Sequence, residues 1–357
     1  MTEQDLYVRR RLGAAIDDTQ VDVDDGWEEF HSHRPLEPRH RALTIVVALA
    51  VAIAGLAFGG WLFTQNGTQP GSGGQPEAIL FERDTQDTQA PTEIWSVNLD
   101  GTNARALPQP PGSNTHPVWS PDGSRIAFVN QEGSDASTLW VMNADGTGTM
   151  EVPTGFGVDQ PTWSPDGTQI AFLGTRDTNT SPSSEIGIFI VPAAGGEPRL
   201  VLPGLHWQQP DWSPDGSQLV VIGSETGTDV FDVYLVRPNG SDLTRLTDDG
   251  WNYASPAWSP DGRTIAFSRS SEDSEPDVYV MDADGTNLRQ LTSRPGWDSL
   301  PIWSDDGSEI LYASEGAERT GSGAADLAVY VMRSDGSNPS LVFDEATHIA
   351  HPTSWLG

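Results

Sequence analysis

Cysteine and lysine are both missing from these 357 residues. Without cysteine the chain has no disulfide, no thiolate metal site and no thiol to carry a lipid, so core packing and chain closure must stabilise it. Without lysine, all 19 basic residues are Arg, set against 51 Asp and Glu for a net charge of −32. Beyond residue 63 the imbalance is 13 Arg against 41 acidic residues, a difference of −28. Such a field repels phosphate backbones, which excludes nucleic acid as a partner. The lack of Lys together with abundant Ala, Gly, Asp and Thr is the composition expected of a GC-rich bacterial genome or a saline habitat. No G-x-S-x-G elbow, P-loop or G-x-G-x-x-G occurs, so a serine-hydrolase domain and the common nucleotide cradles are excluded.

Long apolar runs are scarce too, with one exception. Residues 42–63, ALTIVVALAVAIAGLAFGGWLF, hold 22 uncharged positions; as a helix they span roughly 33 Å, the thickness of a hydrocarbon core. A cleaved signal peptide fits poorly, because some forty residues would precede its apolar run and that run is too long. Arg34, Arg39 and Arg41 stand just before the run and no Arg follows until Arg83, which predicts a cytoplasmic N-terminus and an extracytoplasmic remainder. Gly55 and Gly59 form a G-x-x-x-G within it, a spacing that permits close helix pairing. The expected organisation is a cytoplasmic tail at 1–41, a transmembrane helix at 42–63, a Gly/Pro-rich flexible linker at 64–77 and a folded domain at 78–357.

What that domain has in quantity is repetition. WSPDG occurs at 119–123, 163–167, 212–216 and 258–262, and WSDDG at 303–307. The Trp residues stand 44, 49, 46 and 45 positions apart, a period that marks a repeat array. Around each, short runs alternate apolar with polar residues and end in Asp-Gly or Pro-Asp-Gly, giving four short strands per copy. A second turn recurs as LDG (99–101), ADG (144–146), AGG (194–196), PNG (238–240), ADG (283–285) and SDG (334–336). Six second turns against five Trp motifs leave one first strand missing, and HPTSW at 351–355 echoes HPVWS at 116–120. The C-terminus is therefore expected to complete a first blade made of AILFER, EIWSVN and ARAL, closing a ring without a free terminal edge. The predicted fold is all-β, a six-bladed propeller preceded by one transmembrane helix.

The phrase P-x-W-S-P-D-G-x-x-I-A-F followed by V-Y-V-M-x-x-D-G resembles the repeat of the TolB-type six-bladed β-propeller family over about residues 78–357. Asp305 in place of Pro, AGG in one second turn and a final Trp one place late depart from the pattern. That family includes binding proteins, gating domains of proteases and polysaccharide lyases, so the fold alone leaves function open. The resemblance implies that six segments leading from one blade to the next converge around a central channel: GSNTHP, GFGVDQP, GLHWQQP, GWNYASP, GWDSLP and THIAHP. They carry Phe156, Trp207, Trp251, Tyr253 and Trp297 beside His116, Asp159, His206, Asn252, Asp298 and His351. Aromatics among polar groups suit recognition, so these residues are the candidate ligand site of a non-catalytic module for a protein, peptide or glycan, in an envelope or signalling role. No cofactor is expected.

Two other readings stand beside it. The resemblance extends to oligogalacturonate-type lyases, in which channel-facing His residues hold a divalent metal; His116, His206, His348 and His351 all fall in the converging segments, although no Lys or general-base set accompanies them. The Asp-rich second turns are read as hairpins, since they lack the twelve-residue ligand spacing of a calcium loop. In the tail, DLYVRRRLGAAI (5–16) places Leu6, Leu12 and Ile16 near one face of a short helix, and Trp27 and Phe30 follow an acidic start. This layout loosely resembles transmembrane regulators of sigma factors, without the zinc-binding H-x-x-x-C-x-x-C of many of them.

Overall fold

A computed structural model describes residues 78–356 apart from 84–90, 134–135, 178–183, 205, 225–229, 272–273, 316–326 and 345–349. The expected tail, membrane helix and linker lie outside the described residues. Within them every regular element is a strand, and the 24 strands form six four-stranded antiparallel sheets.

Blade one contains β1 (Ala78–Arg83), β2 (Glu93–Asn98) and β3 (Arg105–Ala106). Blade two runs through β4 (Ser113–Trp119), β5 (Arg125–Gln131), β6 (Thr138–Asn143) and β7 (Met150–Val152). Blade three has β8 (Gly157–Trp163), β9 (Gln169–Asp177), β10 (Ser184–Pro192) and β11 (Arg199–Pro203). Blade four has β12 (Trp207–Trp212), β13 (Leu219–Gly223), β14 (Asp232–Val236) and β15 (Thr244–Arg245). Blade five has β16 (Asn252–Trp258), β17 (Thr264–Ser271), β18 (Ser274–Asp282) and β19 (Arg289–Gln290). Blade six has β20 (Asp298–Trp303), β21 (Glu309–Glu315), β22 (Leu327–Arg333) and β23 (Ser340–Asp344). The last strand, β24 (Ala350–Leu356), pairs with β1, so blade one reads β24-β1-β2-β3 and the ring closes as the sequence predicts.

First strands touch first strands in cyclic order, β24 with β4, β4 with β8, and so on round to β20 with β24, so they line the central axis. The apolar core is correspondingly divided into six clusters, each astride one junction between neighbouring blades. The repeated Trp sits in these junctions, and all six are at most 9% exposed. Three also donate their indole N–H backwards: Trp163 to the Val118 carbonyl, Trp303 to that of Ala257 and Trp119 to that of Ala78, each at 3.2 Å. One side chain thus supplies both apolar area and a directed bond between blades.

The rest of the pentapeptide builds the turn. The Ser120 hydroxyl donates to Asp122 at 2.6 Å and accepts the Arg125 amide at 2.9 Å, while Asp122 also accepts the Ser124 amide and the Gly123 amide returns to the Ser120 carbonyl. Donation to the charged form holds the Asp122 carboxyl down at about 2. The same Ser–Asp pair recurs at 164/166, 213/215, 259/261 and 304/306. Asp305 therefore leaves the turn intact, because Ser304, Asp306 and Gly307 make its bonds.

The second turn has a further duty. Gly240 has a φ of +84°, and a Cβ there would come within 2.6 Å of the Val201 carbonyl oxygen on the preceding blade. Gly101 is alike, with φ +75° and the Val342 carbonyl of blade six at 2.8 Å. These glycines let each turn nest against its neighbour's outer strand.

Candidate ligand-binding face

In an antiparallel sheet of four consecutive strands the turns after the first and third strands share one edge, and the turn after the second strand and the exit to the next blade share the other. The Pro-Asp-Gly turn follows the first strand of a blade and the Asp-Gly second turn its third, so both lie on one face of the ring. The converging segments lie on the opposite face, and each runs into a first strand.

These strands are not regular. His116, Gln160, Gln209, Ser255 and Leu300, each the residue before the strand proline, have φ between +51° and +55°. Each lies where the pairing with the second strand shifts, as between Thr115 and Val118 or Gln208 and Asp211. Non-glycine residues in that region are strained and persist only where the surroundings hold them. The holding groups are side chains about the channel. The Gln209 amide donates to the Gln160 side chain at 2.7 Å, and the Ser255 amide to the Gln209 side chain at 2.8 Å. The His116 amide donates to Glu82 at 2.7 Å, and the Gln160 amide to its neighbour Asp159 at 3.0 Å. The His116 imidazole lies 3.1 Å from Asp159, close enough for an ion pair when protonated yet not aligned for a hydrogen bond. A polar belt thus runs from blade one to blade five. Leu300 ends it, since its side chain has no acceptor and its amide turns to Ser268 of blade five at 3.3 Å.

Blade one solves the same problem differently. In β24 the extra residue is Thr353, between the pairs Phe81–Pro352 and Leu80–Ser354. Pro352 therefore stands where the other blades have the positive-φ residue, a conformation proline cannot adopt, and Glu82 on β1 takes over the contact to His116. The late Trp355 in the sequence is the sign of this shift.

Of the candidate site residues, three are interior. Phe156 is 6% exposed, with its ring centroid 4.2 Å from that of Phe189 and Arg176 stacked on it. Tyr253 is 1% exposed and donates its hydroxyl to Asp249 at 3.0 Å; burial pushes that hydroxyl well above the ordinary tyrosine range. Asp298 is 1% exposed, its carboxyl raised by burial, and one of its oxygens has no hydrogen-bond partner. Tyr253 and Asp298 each stand three before the strand proline, a position at which both are buried in their blades. The expectation that these three present themselves to a ligand is corrected accordingly.

Of the remaining candidates, His116, Asp159, His206, Trp207, Trp251, Asn252 and Trp297 are partly open. Trp207, Trp251 and Trp297 are all half-buried and come from the entries to blades four, five and six. Trp207 meets Tyr234 edge-on at 5.1 Å and donates to the Pro203 carbonyl. Trp251 is covered on one face by Arg269, whose guanidinium lies 4.2 Å from its ring and is held by Asp249. Among the described residues Trp297 makes no comparable ring or hydrogen-bond contact. Asn252 caps the Phe231 amide at 3.0 Å, and the His206 carbonyl accepts the Ser224 amide. His351 pairs by backbone with Glu82, and His348 lies outside the described residues. Among the described residues no three His, Asp or Glu side chains are grouped to hold a metal ion.

Sequence reasoning missed the belt and one further residue. Asp211, next to the blade-four Trp, accepts the Trp258 amide of blade five at 2.9 Å and the Thr162 hydroxyl of blade three at 3.3 Å. The signal was available, since the position before the blade Trp is otherwise Val118, Thr162, Ala257, Ile302 or Ser354.

Comparison with known proteins agrees with this architecture. Residues 84–252 match the family model of the TolB beta propeller domain, and residues 228–354 that of the Tricorn protease N-terminal beta propeller domain. The Tol-Pal system protein TolB of Anaeromyxobacter dehalogenans is 33% identical over 108 residues, 26% of this chain and 24% of that protein; the match thus spans about a quarter of the relative's length. The solved structure of a putative TolB from Agrobacterium tumefaciens superposes with a TM-score of 0.61 at 26% identity, covering 79% of this chain and 94% of that one. An oligogalacturonate lyase in complex with manganese superposes with a TM-score of 0.53 at 18% identity, over 75% of this chain and 74% of that one, and shares the fold alone.

Proposed function

As residues 78–356 form a propeller of the TolB-type family, we propose that it is a non-catalytic binding module for a protein or peptide, held outside the cell membrane by the helix at 42–63. The partner docks on the loop face. The observation that carries this reading is the set of half-buried Trp207, Trp251 and Trp297 at three successive blade entries, beside the polar belt of the channel mouth. Large flat side chains held by rigid strands, with hydrogen-bonding groups next to them, are the chemistry of an interaction hot spot. Trp297 is the first anchor, because Trp251 already spends one face on Arg269. The anchoring and orientation rest on the uncharged run and on the Arg residues that precede it.

A photo-crosslinking residue at 297 in the full chain, in intact cells, is expected to trap a discrete protein or peptide, and one at 306 on the turn face is not. Trp297→Ala should weaken that complex by about 2 kcal/mol, some thirtyfold, with an unchanged melting temperature. Equal crosslinking from both faces, or full affinity in the variant, overturns the reading.

A further inference from the structure

Two neighbouring blade entries each carry a Trp beside three carboxylates, and only one of them brings its own cations. At the entry to blade five the Arg269 guanidinium stacks on Trp251 at 4.2 Å and pairs with Asp249, while Arg245 pairs with Asp232 at 2.7 Å and with Asp248 at 2.9 Å. Each of these acids is matched. At the entry to blade six the set is Trp297 with Glu275, Asp277 and Asp298, and among the described residues none of these three carboxylates is in an ion pair. The residue in register with Arg269 on the second strand is Ser314, opposite Asp298 as Arg269 is opposite Tyr253. Arg294, three positions before Trp297, lies over the Tyr330 ring at 5.1 Å.

The unmatched carboxylates are held in place. Glu275 is exposed and accepts the Gly296 amide at 2.8 Å, which fixes one of its oxygens beside the residue that precedes Trp297. Asp277 accepts the Thr292 hydroxyl at 3.1 Å and the Gln290 side-chain amide at 2.8 Å, and Asp298 is near enough that its charge raises the Asp277 carboxyl, which burial already raises. A separate observation comes from Asp298 itself, which is 1% exposed and keeps one oxygen without a hydrogen-bond partner. An orphaned buried oxygen calls for a donor or a countercharge that the chain does not supply.

We propose that Trp297 and Glu275 form a subsite for an arginine side chain of the partner, whose guanidinium stacks on the open indole and pairs with the Glu275 carboxylate, while Asp277 and Asp298 add negative charge behind them. The inference rests on the loop face being the docking face, and it makes the partner segment basic. Arg269 on Trp251, held by Asp249, is the same arrangement built within the chain. Arginine suits it because a planar guanidinium stacks on an aromatic face and donates to a carboxylate in its own plane at the same time. A domain with a net charge of −28 also draws a basic segment towards it.

The test uses the full chain in detergent, with ¹⁵N in the Trp side chains, titrated with a Gly-Arg-Gly tripeptide blocked at both ends and with its citrulline counterpart, a neutral isostere. The Trp297 indole N–H, assigned by its loss in Trp297→Phe, should shift saturably and report about fivefold tighter binding of the arginine peptide. The Trp251 indole, already covered by Arg269, is the internal control and should not move. Glu275→Gln keeps an acceptor for the Gly296 amide and should remove most of the preference for arginine. Equal affinity for the two peptides, or an unmoved Trp297 signal, overturns the proposal in the wild-type chain alone, and so does a preference undiminished in Glu275→Gln. If position 297 traps a partner in cells while the peptides show no preference, the arginine subsite fails and the loop-face reading stands; if nothing is trapped while the preference is found, the subsite stands and that reading fails.

Discussion

The two faces of this ring are made by opposite strategies. On the turn face one solution is used again and again: the Ser–Asp pair of the first turn and the glycine nesting of the second recur from blade to blade with bond lengths that differ by a few tenths of an ångström. On the loop face each blade differs. The position three before the strand proline is Asn114, Val158, Trp207, Tyr253 or Asp298, and the residue opposite it on the second strand changes with it. Gly223 opposes Trp207, where a Cβ would come within 2.4 Å of the indole. Arg269 opposes Tyr253, and Ser314 opposes Asp298. Repetition marks what the fold requires, and variation over the same backbone marks where this chain is individual.

The largest expected effect tests whether the repeated scaffold can do without closure. Deleting 351–357 removes Trp355, the Ser354 acceptor of the Trp119 amide and the Leu356 side chain that packs on Gly123. It also exposes the edge of β1. Cooperative thermal unfolding of the full chain in detergent should be lost; a truncated chain that still melts within about 2 °C of the parent would show that the ring needs no clasp.

A smaller effect separates the faces by kind. Gly240→Ala places a Cβ at φ +84° against the Val201 carbonyl, and should cost about 2 kcal/mol of stability by denaturant unfolding while leaving partner binding unchanged. Trp297→Ala is expected to do the reverse. Should both variants lose stability and binding together, the division between scaffold and recognition face fails.

Much of the scaffold was legible in the sequence because its parts are local. A tight turn needs Gly and Asp within four residues, and the missing sixth Trp motif pointed to HPTSW. The loop face was less legible, since its side chains are sorted by contacts between residues far apart in the chain. Phe156 and Tyr253 are aromatic, as Trp297 is, and only their packing on Phe189 and Phe267 shows that they belong to the core. The belt was hidden for another reason. His, Gln, Ser and Leu before proline share no side-chain property, and what they share is a backbone angle.

The smallest expected effect concerns the one blade whose first turn departs from the repeat. Asp305 stands where four other blades have proline, yet the turn it belongs to closes through the Gly307 amide and Ser304 carbonyl at 2.9 Å, against 2.8 Å for the Gly123 amide and Ser120 carbonyl. The hydrogen bond that closes the turn is thus the same with Asp305 as with proline in the other blades. Proline would therefore act on the unfolded chain, by restricting its freedom, more than on the folded one. Asp305→Pro should stabilise the chain by about 0.5 kcal/mol, raising the melting temperature by roughly 1–2 °C, with partner binding unaffected. Destabilisation by this variant would mean that blade six holds its turn in a different conformation from the other four, and that the turn face is less uniform than its hydrogen bonds suggest.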